Sequence, residues 1–72
     1  MNATTWTEDA MIEGTLEWWG RDDFEAADCV VREADDDQGE RCLIVLHRPT
    51  GRTSTEAGDA GRWHLDGTAY GD

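Results

Sequence analysis

The run Arg41-Cys42-Leu43-Ile44-Val45-Leu46-His47-Arg48 decides how this chain is read. Five consecutive apolar residues between charged ends predict a strand covered on both faces. Pro49-Thr50-Gly51 closes it with turn chemistry. Just before it, Asp35-Asp36-Asp37-Gln38-Gly39-Glu40 reads as a hairpin loop. The segment Phe24 to Ala34 admits two readings. As a helix capped by Asp22, it would put Phe24, Ala27, Val31 and Ala34 on one face. As a strand, it would turn Ala27, Cys29 and Val31 one way and Asp28, Val30 and Arg32 the other. Cys-Val-Val is a poor helix former, and three aspartates would sit at the negative end of a helix dipole. The strand is therefore preferred. It gives an antiparallel hairpin of 28–34 with 41–47, and pairing Ala34 with Arg41 sets Cys42 opposite Glu33.

Outward from the hairpin the signals weaken. Thr5-Trp6-Thr7-Glu8 fits a capping box, with a turn or two of helix stopping at Gly14, or a frayed end. From Ile12 to Trp18 apolar and polar residues alternate, with Ile12, Gly14, Leu16 and Trp18 on one side, which predicts a strand. Residues 50–61 read as a long loop with one helical turn around Ser54 to Ala57. Arg62 to Asp66 predicts a last short strand with Trp63 and Leu65 on one side. The expected fold is mainly β, with a small α+β fold as the alternative: a three- to four-stranded antiparallel sheet around the 28–34/41–47 hairpin. Residues 1–10 are expected to form a flexible N-terminal segment, 11–66 one small domain, and 67–72 a C-terminal tail.

The chain has 72 residues, enough for one domain. It carries 17 acidic residues against 6 arginines and no lysine, a net charge of -11. Leu, Ile, Val and Phe together number ten, a poverty that with such a charge usually signals disorder. Four tryptophans and the 42–46 run argue against a disordered acidic tail. No apolar run approaches the roughly 18 residues of a membrane span. The first residues show no secretory signal, so a cytoplasmic location is expected. Acidic excess, more Asp than Glu, Arg without Lys and many Ala and Gly resemble the composition of cytoplasmic proteins of halophilic archaea. The resemblance implies a life in concentrated salt, where the Debye length shrinks from about 10 Å at 0.1 M to about 3 Å at 1 M.

Chemistry-bearing residues are sparse. Cys29, Cys42, His47 and His64 are a tetrahedral zinc set by type. Their spacing, Cys-x12-Cys-x4-His-x16-His, lacks the close pairs of zinc ribbons and fingers, so small buried thiols are the simpler expectation. Ser54, His64 and Asp66 share no motif that would make a nucleophilic triad. The 35–40 acidic run lacks EF-hand spacing and would gather K⁺ or Na⁺ only non-specifically. Arg48 and Arg52 flank a turn, but basic residues are too few for a nucleic-acid patch. No cofactor, membrane contact or catalysis is expected. A core this small supplies only about 3–5 kcal/mol, and a strand apolar on both faces needs cover. The expectation is a non-catalytic interaction module that associates with itself or another protein through Trp18, Trp19, Ile44, Leu46 and Trp63. The alternatives are a zinc-stabilised mini-domain and a nucleic-acid mimic occupying a DNA-binding partner.

Overall fold

Thr7 begins the first element of the computed structural model, which describes residues 4–70. Its side chain accepts a hydrogen bond from the Ala10 amide at 3.1 Å, and Glu8 and Asp9 place negative charge at the positive end of the helix that follows. This is α1, Glu8–Trp19. Gly20 ends it in the left-handed conformation (φ 66°), its amide bonded to the carbonyls of Leu16 and Glu17. The helix buries Met11, Thr15 and Trp19, four residues apart. The strand expected from Ile12 to Trp18 is therefore wrong, and so is a stop at Gly14. Ile12 and Leu16 fit both periods, while a threonine in the middle of the inward stripe hides the helical one. Thr15 is tolerated there because its hydroxyl donates to the Met11 carbonyl at 2.8 Å.

A 3-10 turn at Ala26–Asp28 leads into β1, Cys29–Asp35, which pairs antiparallel with β2, Arg41–His47. The strand preference for 29–34 stands, as does β2. The register differs by one residue from the expected one: Asp35 pairs with Arg41, Ala34 with Cys42 and Cys29 with His47. The loop sets this. The Asp36 amide donates to the Glu40 carbonyl at 2.8 Å, its carboxylate accepts from the amides of Gln38 and Glu40 at 2.8 Å each, and Gly39 turns with φ 80°. Cys29, Val31, Val45, Leu43 and His47 then share one face, as the two-residue period requires.

The other edge of β2 is covered piecewise. β3, Arg52–Thr53, pairs with His47 and Leu46. The Ser54 hydroxyl then takes the place of a strand residue, accepting from the Val45 amide at 2.9 Å and donating to the Gly61 carbonyl at 2.6 Å. A kinked 3-10 segment, Ser54–Gly61, makes the excursion. Trp63 rejoins β2 through a bridge to Leu43 and itself bridges Ala69, while Thr68 bridges Thr5. Trp63 is buried and Leu65 is 55% exposed, so they do not share a face. The fold is thus a small α+β domain, one helix on a three-stranded antiparallel sheet of order β1-β2-β3, and not a mainly-β one. Its core joins Met11, Trp19, Phe24, Cys29, Val45 and Trp63. Residues 1–3 of the expected N-terminal segment and 71–72 of the expected tail lie outside the described residues. No helix among the described residues is long and apolar enough to cross a membrane.

Candidate functional site

The register fixes where the four metal-type residues go. Cys29 and His47 are cross-strand partners on the inner face, both buried. Cys42 is buried on the outer face, five residues along β2 from His47, or about 16 Å at 3.3 Å per residue. His64 lies exposed and stacks on Tyr70, with ring centroids 4.4 Å apart. One tetrahedral ion, with ligands about 2.0–2.3 Å away, cannot gather all four. The same separation rules out a Cys29–Cys42 disulfide; both thiols are free. Among the described residues no three His, Cys, Asp or Glu side chains converge as a metal site. Burial, then the charge of Asp28, pushes the Cys29 thiol up, so it stays protonated at neutral pH.

His47 instead belongs to an aromatic stack. Its ring lies 3.7 Å from that of Phe24, nearly parallel, with Trp19 edge-on to both. Arg21 sits over Phe24 and Arg52 over Trp19. The Trp19 indole N–H and Arg52 both donate to Glu56, at 3.1 and 2.6 Å. Thr50 Oγ1 holds His47 Nδ1 at 2.8 Å. Trp19 and Trp63, expected at an interface, are therefore core residues, and they leave 8% and 2% of their surface exposed.

Two surfaces remain. The first is the outer face of the sheet, opposite α1. Pairing places Val30 beside Leu46, Arg32 beside Ile44, and Ala34 beside Cys42 on this face. Val30, Ala34 and Leu46 are half-buried, and Ile44 is buried. Of the expected interface residues, Ile44 and Leu46 lie here. The acidic 35–40 loop lies at one end of β2, with Arg41 paired to Glu33 and Asp35 there, and Arg48 is exposed at the other end. The second surface centres on Trp18, 52% exposed on α1. It borders a cavity of about 150 Å³ between α1 and the Ser54–Gly61 segment, into which Trp6 and Trp63 also come. Trp6 sits low over the helix because Gly14 has no Cβ; an added one would lie 3.1 Å from the Trp6 ring. Sequence reasoning singled out Trp18 but missed the cavity, since its three tryptophans come from three distant segments.

At the loop end of the sheet, the Tyr70 hydroxyl donates to Asp36 at 3.2 Å. Desolvation, reinforced by that bond, pushes the phenol up to about 12, while the Asp36 carboxyl is held below its ordinary value mainly by the Glu40 and Gln38 amides. Tyr70 is the only tyrosine, so alkaline absorbance titration reads it alone. It should ionise near pH 12 in the folded protein, against about 10 when unfolded. A raised phenol stabilises the fold fully below pH 10, and that contribution disappears as the pH rises toward 12. Tyr70→Phe should abolish this alkaline dependence; a tyrosine titrating near 10 in the native state would contradict the contact.

Comparison with protein-family models, with curated proteins and with solved structures found no match.

Proposed function

We propose that this chain is a small non-catalytic interaction module that pairs with a second copy of itself through the outer face of the sheet, in a salt-rich cytoplasm. One observation carries the reading: the helix covers one face of the sheet, and the apolar residues Val30, Ala34, Ile44 and Leu46 occupy the other. The chain itself already buries Ile44 and Cys42, and a second copy would cover the half-buried Val30, Ala34 and Leu46 beside them, removing their remaining apolar surface from water.

Charge selects the occupant. In an isologous contact the same patch meets itself. With a two-fold axis across the strands, the acidic 35–40 loop of one copy meets the exposed Arg48 turn of the other, twice over. The outer face carries the exposed Arg32 at its centre, a cation on a chain with net charge -11. The molecule measures 36 × 26 × 16 Å. Its broad side is of the size that a standard interface needs, about 800 Å² per partner. The lack of catalysis fits the hydroxyl of Ser54, which is spent inside the fold on Val45 and Gly61.

Sedimentation in concentrated KCl tests this. The expected species has twice the 8.0 kDa chain mass. Leu46→Glu should give a folded monomer, because it places a carboxylate within the contact without touching the inner core. A wild-type chain that sediments as a folded monomer under the same conditions would overturn the proposal.

A further inference from the structure

The tryptophan-bordered cavity lies on the opposite side of the molecule from the proposed contact and has a chemistry of its own. Trp6, Trp18 and Trp63 bring three of the four tryptophans of the chain to one opening of about 150 Å³. Among the described residues no charged side chain lines it. Its two hydroxyls have already given their protons to the fold, Thr15 to the Met11 carbonyl and Ser54 to the Gly61 carbonyl. A ligand here meets indole surface and small apolar groups, and no hydroxyl donor waits for an anion or a carbonyl.

We propose that this cavity binds a small organic cation of the trimethylammonium type. Indole is the strongest of the aromatic side chains at attracting a cation to its ring, and a quaternary ammonium surrounded by methyl groups needs no hydrogen bond. In concentrated salt the charge of -11 reaches only about 3 Å, so the attraction rests on contact between the cation and the indole rings rather than on steering from a distance. A hydrated ion such as K⁺ would have to give up its water for a site whose side chains offer only two hydroxyl oxygens, both already engaged in the fold. The volume suits a head group and is well below the roughly 300–1,000 Å³ of a site for a drug-sized molecule. Trp18 is half exposed and forms the outer wall, so it is the tryptophan whose loss the fold tolerates best.

A neutral isostere separates charge from shape. The full-length protein in concentrated KCl is titrated with choline chloride, replacing KCl so that ionic strength stays fixed, and with 3,3-dimethylbutan-1-ol, which has the same outline without the charge. Tryptophan fluorescence reports binding. Choline should saturate the signal, and the alcohol should bind at least about two-fold more weakly, the lower end of the cation–π range. Trp18→Ala should weaken choline by about two- to thirty-fold with an unchanged circular dichroism spectrum. Trp18→Leu keeps the bulk and removes the π system, so it should show the same loss if the alanine variant folds poorly. Equal affinity for choline and the alcohol, absence of saturable choline binding, or full affinity in a folded Trp18→Leu variant would each overturn the assignment. The Leu46→Glu chain should bind choline as the wild type does, so this site and the self-association stand or fall separately.

Discussion

Gly61→Ala should abolish the cooperative fold. Gly61 is buried, and a Cβ built on it would lie 1.8 Å from the Ser54 carbonyl oxygen, 2.6 Å from the carbonyl carbon and 3.1 Å from the Ser54 Cβ. Two of these are backbone atoms, so no flexible side-chain tip can swing aside. The pressed residue is also the one that continues the sheet. Moving Ser54 pulls its hydroxyl off the Val45 amide, one of the most buried positions in the molecule. Overpacking costs about 1–3 kcal/mol, and an orphaned buried donor about 1–3 kcal/mol more. Together they match the roughly 3–5 kcal/mol that a core of this size provides. Thermal unfolding in concentrated KCl reads the effect as loss of the transition or a fall of well over about 10 °C. Gly58→Ala is the control. Gly58 has open space around it, so only the strain of its glycine-favouring backbone (φ 62°, ψ -134°), about 1–3 kcal/mol, opposes the change. Equal and small effects at the two positions would show that the close approach of residues 54 and 61 is not real.

The contrast between these glycines shows which parts of the fold were legible in the sequence. A positive φ leaves a compositional trace near turns, as at Gly39 and Gly20, whereas close approach between residues seven apart leaves none. β2 was legible because burial on both faces writes itself as an unbroken apolar run. The hairpin was legible as a pairing, but its register depended on Asp36 folding its carboxylate over the Gln38 and Glu40 amides. A run of three aspartates does not say which of them does so. α1 was misread because its inward stripe is Met11-Thr15-Trp19, and a threonine that satisfies itself on the Met11 carbonyl looks polar in sequence and buried in space. The same error decided Trp18 and Trp19. Adjacent residues on a strand face opposite ways, while on a helix they stand about 100° apart, and here one fills the core and the other borders the cavity. The zinc set failed for a similar reason. Residue type was read correctly, but the pairing of Cys29 with His47 sends Cys42 to the other face and the other end of β2.

In dilute buffer the wild-type chain should be largely unfolded, and molar KCl should restore it. The structure shows where repulsion concentrates. α1 carries Asp9, Glu13 and Glu17 at successive four-residue steps, with no basic residue in its last turn. Each like-charged pair costs about 0.2–0.5 kcal/mol, and the uncompensated helix end adds to that. The ion pairs among the described residues engage Arg21, Arg41, Arg52 and Arg62 with Asp23, Glu33, Asp35, Glu56 and Asp59, five of seventeen acidic residues. All are at least partly exposed, where such pairs contribute little. Against this stands a core worth only a few kcal/mol. Raising salt from about 0.1 M to about 1 M shortens the reach of the repulsion from about 10 Å to about 3 Å. Circular dichroism along a KCl series should therefore show the helical signal of α1 and the thermal midpoint rising together. If screening is the main cause, the gain flattens near 1 M. If ion exclusion from apolar surface also matters, an equimolar sulfate series climbs further. Acid is not an equivalent remedy. Lowering the pH also discharges the helix carboxylates, but Asp36 and Asp66 are held below their ordinary values, chiefly by the amides of Glu40 and Thr68. Their stabilisation is present above the normal carboxylate range and is lost as the pH falls through their lowered values, so acid melts the loops while it relieves the helix. A chain equally heat-resistant in nearly salt-free water would mean that its carboxylates do not repel enough to matter, and the salt-rich setting proposed for its association would lose its physical basis.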